Sequence, residues 1–399
     1  MWHLLQTAVA ALLLLLAGCG RPGGGTAALP EWAPGLAYTN SRVAKGPWSI
    51  HIVRMERGRP ELALESVHAG GRALGLSPLT EQLRQIVADL GAPVAAVNGD
   101  FYQRDRPHAG DPRGLQIANG ELLSAPDGGA AFWTDAGGQP RTGPVRSRLQ
   151  VEWPEGGHSP MGLNQERGPD DMVLFTEAAG PSTQTPRGRE LILIPEGSSP
   201  ARPVRLAPGA QVTARVREVR EQGDTPIAPG TWVLSLGPEA ARKHPVPAVG
   251  SLLTLSTATE PDLAGSRTAI GGGPVLITQG RVQKIRAPEG EDSYVFTSMQ
   301  EQHPRSAVGW NDTHLFLVLV DGRQPGLSVG MTLEELARTL RDLGCTEAMN
   351  LDGGGSATLW ADGRIRNSPC DGQERPVANA LVVTRKTNGP AGGTGFTSP

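Results

Sequence analysis

The chain of 399 residues has little lysine, little cysteine and no long apolar run. Lys45, Lys243, Lys284 and Lys386 are the only lysines among 37 basic residues, and 40 acidic residues bring the formal charge to −3. A chain so balanced has no net field to draw it to nucleic acid or to an anionic bilayer, so no nucleic-acid partner is expected. The three cysteines form no C-x-x-C and the histidines do not cluster, which leaves a zinc site without ligands at the required spacing. The apolar run Ala8–Ala17 is ten residues long, half of the roughly 20 needed to span a bilayer. Glycine and proline are abundant instead. With 53 and 35 residues they make up about 22% of the chain, against roughly 12% in average usage. Apolar residues still reach 38% and are spread along the length, so the chain is loop-rich but has enough to build one large core or two smaller ones.

Near the N-terminus, Ala8–Ala17 reads as the apolar centre of an export signal. The sequence Leu16-Ala17-Gly18-Cys19 that closes it resembles a bacterial lipobox, which implies cleavage before Cys19 and acylation of that residue. The alternative is an ordinary cleaved signal peptide, and Met1-Trp2-His3 lacks the usual basic residue. Both readings export the protein; the first anchors it by lipid to the cell envelope, facing the extracytoplasmic side. The expected division is a signal peptide over 1–18, a Gly/Pro-rich tether over 19–30, a folded domain over 31–385 and a disordered tail over 386–399. In an oxidising compartment Cys345 and Cys370 remain as an even pair, either bridged by a disulfide or standing as two separate buried thiols.

Strand patterns recur at Trp48–Met55, Glu61–Val67, Pro93–Val97, Leu115–Leu122, Ser147–Trp153, Met172–Thr176, Trp232–Leu236, Leu252–Thr257, His314–Val320, Ala348–Leu351 and Val377–Thr384. Ala357–Asn367 reads as a hairpin turning at Asp362-Gly363. Two segments carry helical periodicity, Pro78–Leu90 and Thr332–Leu343. The second begins with a T-x-x-E capping box at Thr332 and Glu335 and stops at Gly344. These elements predict a mixed α/β (α+β) fold: a single curved, largely antiparallel sheet with a few packed helices. Both helices run through D-L-G into a strand that ends in N-x-D, at Asn98-Gly99-Asp100 and Asn350-Leu351-Asp352. If the two strands lie in one sheet, Asp100 and Asp352 meet at its edge, where open sheets commonly bind ligands; chance similarity is the alternative.

The unusual residues concentrate at Asn350-Leu351-Asp352-Gly353-Gly354-Gly355-Ser356, a strand running into a carboxylate and three glycines. Consecutive glycines pack nothing and suit close backbone approach, with N–H groups open to an anion. A second triplet, Gly271-Gly272-Gly273, precedes a strand rather than a helix, which excludes a dinucleotide fingerprint or a P-loop. Ser356 is no nucleophile elbow, because Thr358 stands where G-x-S-x-G needs glycine.

In chain order, N-G-D-F-Y (98–102), G-G-G-P-V-L (271–276), R-S-A-V-G (305–309), V-D-G-R (320–323), M-T-L-E-E-L-A (331–337), N-L-D-G-G-G-S (350–356) and R-P-V-A-N-A-L (375–381) resemble the phosphodiester glycosidase family over about 90–385. The resemblance implies hydrolysis of a sugar-1-phosphodiester, with envelope or exopolysaccharide material as substrate for an exported protein. Cleaving the anomeric C–O bond builds oxocarbenium charge beside which a carboxylate acts as nucleophile or base. Asp352, Asp100 and, in an orienting role, Asp321 are the candidates. Arg305 and Arg375 are candidates for clamping the phosphate, aided by N–H groups of Gly271–Gly273 and Gly353–Gly355 and by Ser356. Asn98, Asn350 and Asn379 either hold sugar hydroxyls or tie loops to backbone. No cofactor is required by this chemistry; Ca²⁺ or Mg²⁺ on Asp100 and Asp352 is left open, although no D-x-D-x-D-G loop is present. The alternative from another class is a non-catalytic glycan-binding lipoprotein using the same pocket.

Overall fold

The computed structural model describes residues 31–44, 46–71, 73–104, 107–285 and 298–386. The signal peptide, the tether, Cys19 and all but the first residue of the C-terminal tail lie outside the described residues.

The strand His314–Val320 shows how the fold is layered. Its apolar residues leave no polar face, as expected of a strand covered on both sides. Leu315, Leu317 and Leu319 point into one core, and Phe316, Val318 and Val320 into another. It sits inside an eight-stranded sheet, between Trp48–Glu56 and Arg305–Trp310, with Glu347–Leu351 beyond. One face is covered by the helix Leu333–Asp342, which buries Leu333, Leu336, Ala337 and Leu340 against Ile52, Phe316 and Val318. The other face packs on a five-stranded sheet through Val97, Leu359, Leu381 and Val383. The outer face of that second sheet is closed by Leu79 and Leu83 of a short helix, Leu79–Arg84.

A third sheet of twelve strands is antiparallel but for one short parallel pair, Gly162–Leu163 with Met172–Phe175, and is centred on Pro140–Glu152 and Leu252–Glu260. Its core is formed by Leu149, Val151, Leu174, Leu234 and Leu255. The strand Ala269–Gly271 joins it to the rest, because Ala269 faces this core while Ile270 faces the core between the other two sheets.

The expected single curved sheet with packed helices is therefore corrected: the fold is mostly β, in three separate sheets. Alternation tells which face a residue occupies, not which strands share a sheet, and the doubly buried run His314–Val320 already required a second layer. The two helices fare differently. Thr332 caps its helix as expected, its hydroxyl accepting from Glu335 N while the Glu335 carboxylate accepts from Thr332 N, and Gly344 follows at φ 89°. The expected helix over Pro78–Leu90 instead stops at Arg84, and a separate 3₁₀ turn covers Ala88–Leu90. The β-branched pair Ile86-Val87 lies between, with Val87 55% exposed, so no buried face rewards a further turn.

Candidate active site

The ends of three sheets converge at one place. Asn98 ends a strand of the five-stranded sheet, Leu351 one of the eight-stranded sheet, and Gly271 one of the twelve-stranded sheet. The two N-x-D segments thus belong to different sheets, yet they meet: Asp352 N donates to Gly99 O at 2.9 Å. Three buried asparagines hold the junction. Asn98 Nδ2 donates to Asp352 O at 2.7 Å, and its Oδ1 accepts from Ser306 Oγ and Thr358 N. Asn379 Oδ1 accepts from Asp100 N at 2.8 Å, while its Nδ2 donates to Gln116 Oε1. Asn350 Nδ2 donates to Gly273 O at 2.8 Å. Of the two expectations for these amides, tying loops to backbone is the one their contacts describe.

Asp100 is 3% exposed. Its Oδ1 accepts from Phe101 N at 2.7 Å and its Oδ2 from Gly114 N at 2.9 Å. Burial dominates nonetheless and, with repulsion from Asp127 and Asp352, pushes its pKa to about 7. Asp111 is pushed to about 8 by burial and by Asp100. Asp352, just past the strand Glu347–Leu351, is half-buried as a whole residue. Burial of its carboxylate raises its pKa, opposed by the Ser356 hydroxyl, Gly353 N, Arg375 and Arg104.

The two glycine triplets make this crowding sterically feasible. A Cβ on Gly271 would strike Asp100 Oδ2, one on Gly272 would lie 2.7 Å from Asn350 O, and Gly273 N donates to Asn350 O at 2.8 Å. Gly354–Ser356 forms a 3₁₀ turn after Asp352, with a Cβ on Gly353 excluded by Pro304 O. Gly354 takes φ 58° beneath Arg323, and the Arg375 guanidinium occupies the space a Cβ on Gly355 would need. Arg375 is held by Asp371 at 2.6 Å. Arg323, itself left-handed at φ 58°, donates to His303 Nδ1 at 3.3 Å, which assigns the His303 proton to Nε2, 3.0 Å from Glu301.

Arg305 and Asp321 have other settings. Arg305 is 6% exposed and donates to the carbonyls of Met331, Ser298 and Glu301 at 2.6–2.8 Å, so its guanidinium ties main chain together rather than lining the turn. Burial brings its pKa down to about 10. Asp321 accepts from His51 Nε2 at 2.8 Å and from Ser368 N at 2.9 Å, and His51 Nδ1 contacts the Tyr38 hydroxyl at 2.9 Å. It anchors the segment that leads to Arg375. The alternative of two separate thiols replaces the expected disulfide. Cys345 is buried beneath Gly309 and Cys370 contacts Asp371, both as free thiols.

Sequence reading missed Arg104, Arg323, Asp111 and Asp127. Arg323 was visible in V-D-G-R but carried no assigned role; the two aspartates look like ordinary turn residues in Gly/Pro-rich loops. Asp111 and Asp127 border a cleft of about 890 Å³ that also exposes Arg113, Gln150 and His158, within the size range of small-ligand sites. Among the described residues no three His, Cys, Asp or Glu side chains are gathered to hold a metal ion, so the open Ca²⁺ or Mg²⁺ reading gains no ligand set.

The assembly is a β-rich scaffold presenting buried aspartates beside an arginine-flanked glycine turn, a setting for polar, anionic substrates. Residues 213–384 match the family model of the phosphodiester glycosidase, a span that holds all the motifs named above except N-G-D-F-Y. Among curated proteins, the SPbeta prophage-derived uncharacterized protein YomE of Bacillus subtilis is 30% identical over 121 residues, 30% of this chain and 18% of that protein. A hypothetical protein from Synechocystis shares the fold at TM-score 0.69 and 23% identity, over 88% of this chain and 62% of its own. A Burkholderia pseudomallei protein described as exported does so at TM-score 0.63 and 24% identity, over 85% and 74%. This chain thus spans under a fifth of YomE and under two thirds of the Synechocystis chain.

Proposed function

We propose that this protein is a hydrolase that cleaves the glycosyl–oxygen bond of a sugar-1-phosphodiester. The observation that carries the reading is the meeting of Asp352 and Asp100 beside a glycine turn flanked by Arg323 and Arg375, within a chain whose residues 213–384 match the family model. Asp352, whose pKa burial raises while Ser356, Gly353 N and two arginines oppose that rise, is the carboxylate that faces the developing positive charge at C1. Asp100, near 7, is suited to exchanging a proton at neutral pH. Water adds to C1, the C1–O bond breaks with its electron pair leaving on the phosphate oxygen, and the proton lost by water passes to a carboxylate. Arg323 and Arg375 neutralise the phosphate as it departs. Among the described residues no helix is long and apolar enough to cross a membrane. Export and lipid attachment at Cys19, with envelope or exopolysaccharide substrates, follow from the lipobox-like sequence and agree with the neighbour described as exported.

The test is release of free sugar from UDP-N-acetylglucosamine and from methyl-phosphate-linked N-acetylglucosamine, with Asp352→Asn alongside. Turnover by the wild type and its loss by at least 10³-fold in the variant is the expected outcome. Full activity in Asp352→Asn would sink the mechanism, and saturable glycan binding without turnover would favour the binding lipoprotein. Incorporation of labelled palmitate, abolished in Cys19→Ser, checks the anchor.

A further inference from the structure

Eight described residues other than glycine have left-handed backbones. Asn119, Gln279 and Asp362 are each followed by glycine at a tight hairpin turn, where that conformation is ordinary. Three others, His108 at φ 70°, Asn164 at φ 51° and Gln184 at φ 46°, come from distant parts of the chain and line one cavity of about 250 Å³. Such backbones cost on the order of 1 kcal/mol each and persist where the surroundings impose them, often at ligand-binding sites.

The surroundings are specific. Asn164 is fixed by donating to Leu123 O at 2.9 Å and accepting from Thr176 N at 2.8 Å. The His108 ring stacks on the buried Phe175 ring, with centroids 5.5 Å apart. Gly110, in the same turn, presses so closely on Gly75 that no Cβ fits between them. Two polar atoms of the lining residues are nevertheless left over: His108 Nδ1 and Asp111 Oδ1 are buried without a hydrogen-bond partner. Asp111 is 8% exposed, so its carboxyl has no bulk water to satisfy it. Leu74 and Ala179 supply apolar wall, and Gln184 stands exposed at the rim. No arginine or lysine lines the cavity, so it offers nothing to neutralise an anion. Asp111 also borders the 890 Å³ cleft and feels the repulsion of Asp100, which links the cavity to the acidic centre.

We propose that this cavity is a recognition subsite for one uncharged, hydroxyl-bearing ring, held by Asp111 and His108 from within and by Gln184 at the rim. The assignment rests on the hydrolase reading and adds to it the place where the glycosyl part is distinguished from its competitors. Burial keeps the Asp111 carboxyl protonated at neutral pH, so it donates to a ring hydroxyl while His108 Nδ1 accepts from one. The fold holds the three strained residues in place before any ligand arrives, as at a preorganised binding site.

Binding is measured by calorimetry with three probes: glucose 1-phosphate, N-acetylglucosamine 1-phosphate and inorganic phosphate. The variants are Gln184→Gly, which removes the side chain and relieves the left-handed strain, Asp111→Ala, and Asp111→Asn, which keeps a donor. The expected result is that Gln184→Gly raises Tm yet weakens a sugar 1-phosphate about tenfold, leaving inorganic phosphate unchanged. Asp111→Ala loses as much, and Asp111→Asn stays within about twofold of wild type. Equal responses of sugar phosphates and phosphate, unchanged binding in Gln184→Gly and Asp111→Ala, or no binding of either sugar phosphate by the wild type overturns the subsite. Absence of diester hydrolysis alongside binding that depends on Gln184 and Asp111 overturns the hydrolase reading and leaves the subsite standing.

Discussion

Replacing Asp111 by asparagine should make the protein more stable, and increasingly so as pH rises. Burial, with repulsion from Asp100, lifts this carboxyl from its ordinary 3.8 to about 8. The native state therefore holds the proton more tightly than the unfolded chain. That contribution to stability is complete below about pH 4 and is lost as pH climbs to about 8. Across the interval the loss runs at about 1.4 kcal/mol per pH unit, so from pH 5 to pH 8 wild type gives up as much as about 4 kcal/mol through this one group. Asparagine has nearly the same shape and no such proton to lose. Urea unfolding followed by tryptophan fluorescence at pH 5, 6, 7 and 8 measures the difference directly. The reasoning predicts near-equality only at pH 4 and below, an advantage of about 1–2 kcal/mol already at pH 5, and a gap that widens by up to about 4 kcal/mol more by pH 8, a large part of a typical domain's stability. A difference that stays constant within about 0.5 kcal/mol over that range would refute it, because the group would then titrate alike in both states.

The two arginine settings should separate cleanly. Arg305→Ala strips three main-chain carbonyls of their donor and should cost about 2–4 kcal/mol of stability, read by urea unfolding, whereas Arg323→Ala should leave stability within about 1 kcal/mol and weaken phosphate binding about tenfold. Gly355→Ala puts a methyl where the Arg375 guanidinium lies, so KM should rise about tenfold with little change in Tm; an unchanged KM would remove Arg375 from the site. Because Cys345 and Cys370 are free thiols, a reducing agent should not shift Tm, and a drop of several degrees would restore the disulfide.

Much of the site was legible because glycine triplets are hard to explain otherwise. Gly271 and Gly355 mark the two places where a side chain of the site, Asp100 or Arg375, occupies the volume of a Cβ, and both triplets were singled out on composition alone. The roles of individual residues were harder to read, since a side chain's type does not say what it will touch. Arg305 and Arg375 look equivalent in sequence, yet only Arg375 overhangs the turn. Arg305 begins a strand fully buried along its length, and a buried guanidinium must find acceptors at once, which here are carbonyls.

The paired N-x-D segments mark the limit of periodicity as a guide. The condition under which they would meet, a shared sheet, does not hold, and they meet instead where strands of two stacked sheets end side by side. A strand's alternation fixes its own faces; the neighbour across the core is set by side-chain volume, as where Val97 and Leu351 pack in one cluster. The closeness of Asp100 and Asp352 is thus a product of packing between layers rather than of pairing within one. Substitutions in that shared core should therefore disturb the acidic pair even where they touch neither carboxylate. Val97→Ala, for example, opens a cavity in the cluster that Val97 shares with Leu351, one residue along the chain from the Asn98 whose amide bonds Asp352 O, and should lower kcat together with the roughly 2–3 kcal/mol of stability typical of such a deletion. Loss of stability with kcat intact would show that Asn98 holds the junction without help from the layer below it.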